Sequence, residues 1–394
     1  MSTVERGVPP PREPLQVTPD LLMEANASLL SQDRIAAYKS AKAGGELVLF
    51  KLCADARSGP SLFNFDASAV DRSIAASVSP TEYGEAIRHH GVGAIVIAPH
   101  FDGVKSEDQG FFNGCGGQDA FRGLHNHEPN KDGIPDPDVV HYLKQNISSE
   151  NPFVQAFRLK DQVMRQFLIQ GEEEHFKPIM LGAVDHRTGL FIPVWFSGRD
   201  ERGRYVTTST LQSHHIQNPQ FITPENVRHF EPEELPETFR KVLESNRQFV
   251  GSHPELPETQ RVQNPDVIVV TTALMPLRNR FANLFDTPNT VFVVGAPASA
   301  NAAGNGELHV TDPGLILDQV SYPIEHAVGS YREDDPFRDT RTIIFETGAI
   351  AESMVLADEF MNRPWALDWL NEGGKMIVAE TRSGHTTKAA LLNQ

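Results

Sequence analysis

Residues 47–60 read LVLFKLCADARSGP: the apolar run of a buried strand, halted by a cysteine, an aspartate and an arginine at alternate positions. The chain has only two cysteines, Cys53 and Cys115, so the use of one at a strand end raises a chemical question. In an extended chain Cys53, Asp55 and Arg57 share one side, which sets a thiol beside a carboxylate that a guanidinium can clamp. A second run, VGAIVIAPH at 92–100, is continuous and rich in β-branched residues, the type buried on both faces of a parallel sheet. Between the two runs, SPTEYGEAIRHHG predicts a helix with Ser79 as N-cap, Pro80 in the first turn and Gly91 at the close.

A Gly-rich irregular section follows from Phe101 to about Pro137, then a helical pattern over 138–171. KPIMLGAVDHRTGLFIPVWF at 177–196 reads as a hairpin turning at HRTG. Strand, helix, strand, helix and hairpin in this order specify an α/β unit with a mostly parallel sheet.

The same order recurs. PEELPETFRKVLESNRQFV and NPDVIVVTTALMPLRNRF answer LLMEANASLL and ELVLFKLCADAR. VSYPIEHAVGS answers SPTEYGEAIRHHG, RTIIFET answers GAIVIAP, and GGKMIVAETRSGHTTKA answers FKPIMLGAVDHRTGLFIPV. The expected organisation is a Pro-rich disordered tail over 1–18, a first domain over 19–200, a polar linker over 201–235 containing QSHHIQNPQ, and a second domain over 236–394. Laid strand on strand, Cys53, Asp55 and Arg57 fall opposite Ala273, Met275 and Leu277. The second domain is therefore expected to lack metal ligands and to be structural.

Composition narrows the function classes. Of 394 residues 39% are hydrophobic, enough for sizeable cores, while the formal charge of −17 repels phosphate backbones and anionic lipid. Nucleic acid and membrane are not expected partners, and a small neutral substrate fits better. No apolar stretch approaches the ~20 residues that span a bilayer, and MSTVERGVPPPREPLQ has charges and prolines where a secretory signal has its apolar segment. The expected location is cytoplasmic, free or inside a bacterial microcompartment. One disulfide in such a setting is not the expected use of two cysteines, which leaves burial or metal ligation. Glycine motifs that cradle phosphate and the GxSxG elbow are absent.

These residues resemble the β-class carbonic anhydrases. In that family a buried strand ends in Cys-x-Asp-x-Arg, as in CADAR. A later strand ends in a His followed by a Cys-Gly-Gly turn, as in IVIAPH and GCGGQDA, and a GAVxxxTG strand follows the helices, as in LGAVDHRTG. The resemblance implies two tandem β-carbonic-anhydrase-like domains forming a pseudo-dimer, similar in plan to the carboxysome shell branch. It implies Zn2+ held by Cys53, His100 and Cys115, with Asp55 and Arg57 as catalytic residues, and reversible hydration of CO2 to bicarbonate. Two thiolates and an imidazole are apt zinc donors, and three protein ligands leave a fourth position for water. The family's motif has two residues between His and Cys, whereas His100 and Cys115 are separated by FDGVKSEDQGFFNG. Asp102, Asp108, His125 and His127 thereby stand as alternative donors. The same zinc site would also suit hydrolysis of COS or CS2, or a noncatalytic zinc-stabilised scaffold, and homo-oligomers are compatible with the family's usual dimers.

Overall fold

The computed structural model describes residues 17–23, 32–53, 60–63, 65, 67–73, 91–106, 110–112, 151–169, 176–200, 202–252, 267–271, 275–276, 290–294, 342–362, 366–382 and 385–392. The architecture is mixed α/β, with mostly parallel sheets flanked by helices, as the sequence predicts. Helix α1 (Gln32–Gly44) leads into β1 (Leu47–Cys53), which is buried along its whole length. On either side of β1 lie β2 (Ser68–Ser73) and β3 (Val92–Ala98), both parallel to it. Beyond β3 come β7 (Ile179–Asp185), parallel, then β8 (Leu190–Arg199) and β9 (Tyr205–Ser209), each antiparallel to its predecessor.

Two layers cover this sheet. Helix α2 (Pro152–Ile169) lies on one face, burying Phe153, Ala156, Phe157 and Val163 at helical spacing against Ile95, Ile97, Ile179 and Leu181. Its start is fixed by Asn151, whose Oδ1 accepts the Phe153 amide at 3.0 Å, and by Pro152 in the first turn. The opposite face carries Val48, Phe50, Leu52, Val96 and Met180, and receives α4 (Glu237–Ser252) through Phe239, Val242 and Leu243. Each such side chain contributes about 1.5–3 kcal/mol on burial. Asn246 completes the seat: its Oδ1 accepts the Phe191 amide at 2.9 Å, and its Nδ2 donates to Leu62 O at 2.8 Å and Gly189 O at 3.1 Å. A helix expected to open the second domain therefore packs on the first sheet.

Residues 202–235 of the expected 201–235 linker also belong to this packing. They supply β9, the short helix α3 (Ser213–Gln217), and the buried Leu211, Ile222, Phe230 and Leu235. His215, within the QSHHIQNPQ segment, is buried beside His214 with ring centroids 3.8 Å apart. Burial, and then the neighbouring imidazole, hold His215 below the ordinary histidine pKa. Residues 1–16 of the expected tail lie outside the described residues, and Val17 is buried.

A second sheet repeats the wiring. Strands β10 (Val267–Thr271), β12 (Thr290–Val294), β13 (Thr342–Thr347), β14 (Lys375–Arg382) and β15 (His385–Leu391) run in the order β12-β10-β13-β14-β15. The first three pairings are parallel and the last antiparallel, as in β2-β1-β3-β7-β8. Helices α5 (Ile350–Met361) and α6 (Ala366–Asn371) connect β13 to β14. The two-residue β11 (Met275–Pro276), from the second half of the chain, pairs antiparallel with β2 and so extends the first sheet. No helix among the described residues is long and apolar enough to cross a membrane.

Candidate metal centre

Cys53 is the last residue of β1, and β1 lies beside β3 with Leu52 opposite Ala98. His100 opens β4 (His100–Phe101), which pairs with β7 as His100↔Val184, the same offset as Ile97↔Leu181 in β3. Strands β3 and β4 are thus one strand, notched at Pro99, which has no N–H to give the ladder. The ladder persists around the notch: the Val184 amide donates to Pro99 O at 2.8 Å and the His186 amide to Phe101 O at 2.9 Å. Two of the three expected zinc ligands accordingly sit at the carboxyl ends of adjacent central strands. Both are buried, Cys53 at 3% exposure and His100 at 1%. Strand alternation sends Cys53 toward the α2 face with Leu49, and His100 toward the α4 face with Val184. The two donors can meet one ligand only past the strand ends.

The long spacing between His100 and Cys115 has a structural answer. Strands β5 (Val104–Ser106) and β6 (Gly110–Phe111) form a small antiparallel hairpin. At its base the Asp102 amide donates to Phe112 O at 2.9 Å, and the Phe112 amide donates to Gly103 O at 2.8 Å. The chain leaves and returns at one point, so Phe112 stands beside Asp102 with two residues, Asn113 and Gly114, still to run before Cys115. Phe111 anchors the hairpin on the core, 5.0 Å from the Phe101 ring and 5.3 Å from Phe153. Cys115, Asp55, Arg57, Asp108, His125 and His127 lie outside the described residues. Among the described residues, no three His, Cys, Asp or Glu side chains gather as a metal-binding group.

A third strand end converges here. The β7–β8 turn carries His186, buried at 3%, with its ring stacked on His100 at 4.1 Å between centroids and 21° between planes. Sequence reasoning passed over this residue; its only signal was its place in DHRTG, directly after the last parallel strand, β7. Asp185 organises the turn, its Oδ1 accepting the Arg187 amide at 3.0 Å and its carbonyl the Gly189 amide at 2.7 Å. Burial raises the Asp185 pKa above the ordinary aspartate value, partly opposed by the hydrogen bonds from Arg187 and Thr188. Arg187 reaches over Gly103 to the Phe112 ring, 4.9 Å from its centroid. At φ +82°, with Arg187 Cδ 2.5 Å from where a Cβ would stand, Gly103 suits glycine on both counts.

The equivalent end of the second sheet differs. Helix α5 lies on the face bearing Phe345, whose ring is 5.6 Å from Phe360, and Thr347, whose Oγ1 is 3.1 Å from Ser353 Oγ. Keeping the sequence match of RTIIFET with GAIVIAP, which sets Phe345 against Ile97, the pairings Val270↔Phe345 and Lys51↔Ile97 set Val270 against Lys51. Cys53 then corresponds to Thr272, one position before the Ala273 that sequence comparison suggests, and His100 to Gly348. Neither replacement offers a thiol or an imidazole.

Glu346 and Glu380, both buried, occupy positions equivalent to Ala98 and Ala183. Thr386 Oγ1 donates to Glu346 Oε1 at 3.2 Å, and Thr387 Oγ1 to Glu380 Oε1 at 3.2 Å. The Ile350 amide, at the start of α5, donates to Glu380 Oε2 at 3.4 Å. No protein-family model matches this chain, and no curated protein matches it.

Proposed function

We propose that the chain is a zinc-dependent carbonic anhydrase of the β class in tandem form, hydrating CO2 reversibly to bicarbonate. The observation that supports it best is the closed hairpin after His100, which returns Phe112 to Asp102 two residues short of Cys115, beside a buried Cys53 on the adjacent strand. A thiol and an imidazole at neighbouring strand ends suit zinc by donor chemistry, with Cys115 as the third donor. Zinc, when bound, supplies Lewis-acid activation of water. On this reading Cys53, His100 and Cys115 hold the ion, and Asp55 accepts a hydrogen bond from the attacking water and orients it. Arg57 fixes the Asp55 carboxylate through paired N–H donors. The pseudo-dimer reading draws support from the shared strand order of the two sheets and from α4, which ties the later segment onto the first sheet.

The test is zinc content and stopped-flow CO2 hydration on one purified sample, at alkaline pH under reducing conditions. About one zinc per chain with fast hydration is expected. One zinc without hydration would shift the reading to COS or CS2, assayed by their products, or to a structural metal. Absence of zinc would end it.

A further inference from the structure

We infer that His186 is a positioning residue for the metal centre: its ring, stacked on His100, fixes the plane in which the His100 nitrogens present themselves. The inference rests on the zinc reading above and deepens it. A ring stacked through its face keeps its nitrogens in plane at its edge, so the contact constrains rotation without occupying a donor atom. The 4.1 Å separation and 21° interplanar angle meet that description. With 1% and 3% exposure, neither ring has solvent into which it can swing.

The turn that carries His186 is itself held from three sides. The His186 amide donates to Phe101 O at 2.9 Å, one residue past His100, which ties the two backbones together beside the stacked rings. Asp185 closes the turn by accepting the Arg187 and Gly189 amides. Arg187 then crosses Gly103 to the Phe112 ring, so the residue after His186 holds the returning strand of the hairpin. One short turn therefore grips the segment on both sides: His100 where the hairpin departs and Phe112 where it returns toward Cys115. A residue that only filled space would need volume at this place; a positioning residue needs a flat ring.

That distinction sets the experiment. Zinc affinity is measured by competition with a chromophoric chelator for wild type, His186→Phe, His186→Leu and His100→Ala, and the metal-free proteins are melted in parallel. His186→Phe, which keeps a flat face, should bind zinc within about twofold of wild type. His186→Leu, which fills similar space without one, should lose about tenfold to a hundredfold, the range for residues that orient a ligand, with an unchanged metal-free melt. If His186→Leu melts early, His186→Met takes its place with the same expectation. Equal affinities for the Phe and aliphatic variants would overturn the inference, leaving a space-filling role. Loss in His186→Phe as complete as in His100→Ala would overturn it too, by making His186 a donor. A wild type that takes up no zinc would fail the functional reading itself, and the inference with it.

Discussion

The carboxyl ends of the two sheets are built on one wiring and furnished with different chemistry. At the first end, Cys53 and His100 close adjacent strands, and small alanines, Ala98 and Ala183, flank them. At the second end the alanine positions hold Glu346 and Glu380, the cysteine position is Thr272 and the histidine position is Gly348. There the acids are met by Thr386, Thr387 and the first turn of α5, a polar network drawn from the protein itself. The fold supplies two equivalent platforms, and the residues at the strand ends decide what each can do.

The sharpest way to break that contrast is to exchange the ends. His100→Gly, which makes the first end read like the second, should abolish zinc binding and hydration. Gly348→His should create neither, because position 272 offers no thiol. Zinc analysis and stopped-flow assay of both variants check this, and a zinc-loaded His100→Gly would show that another residue is the donor.

A second contrast lies in how the sheets are covered. Helix α4 follows β9 in sequence, yet it packs back on the first sheet rather than opening a separate unit. Asn246 is the polar centre of that seat, with three hydrogen bonds to main-chain groups from two separate segments. Asn246→Ala leaves a buried amide and two buried carbonyls to find other partners, so urea unfolding should show a loss of about 3 kcal/mol. A loss below about 1 kcal/mol would mean that the apolar contacts of Phe239, Val242 and Leu243 alone hold the helix.

The core strands were legible because they are simple. VGAIVIA is apolar throughout, LVLFKLC is apolar but for the buried Lys51, and the DHRTG turn has its glycine at the left-handed position, φ +72° at Gly189. The same simplicity leaves the register between the two sheets loose: a run buried on both faces has no alternation to fix it, so matching the first strands sets Cys53 against Ala273 whereas matching the second strands counts it to Thr272. The hairpin at 104–111 was read as irregular because its strands are three and two residues long, too short for a periodic pattern. Residues 201–235 read as linker because Leu211, Ile222 and Phe230, which are buried, are scattered among polar residues. His186 was missed for a different reason. A lone histidine in a turn has no pattern, and its meaning comes from a ring supplied 86 positions earlier by another strand.

The hairpin gives a smaller test of the first end. Gly103→Ala places a Cβ against Arg187 and puts alanine at φ +82°, which should cost about 1–2 kcal/mol of stability. The displaced Arg187 should also loosen the return toward Cys115, weakening zinc binding while leaving the second sheet intact. Thermal melts with and without zinc separate the two effects. An equal shift in both melts would mean that the hairpin stabilises the fold without shaping the site.

The smallest effect is expected where the last parallel strand of each sheet ends: Asp185 of β7 in the first and, at the matching position, Arg382 of β14 in the second. Burial raises the Asp185 pKa in the folded protein above its unfolded value, so the folded state holds this proton more tightly. Stability from this group is then fully present below the unfolded aspartate pKa and is lost as pH rises through the raised folded value. Asp185→Asn keeps the oxygen that accepts the Arg187 amide but cannot titrate, and so serves as the reference. Wild type should gain on this variant as pH falls across the carboxylate range, and unfolding curves at several pH values measure the gap. If wild type instead loses ground as pH falls, the hydrogen bonds from Arg187 and Thr188 to the ionised carboxylate outweigh its burial, and the turn that presents His186 depends on that charge.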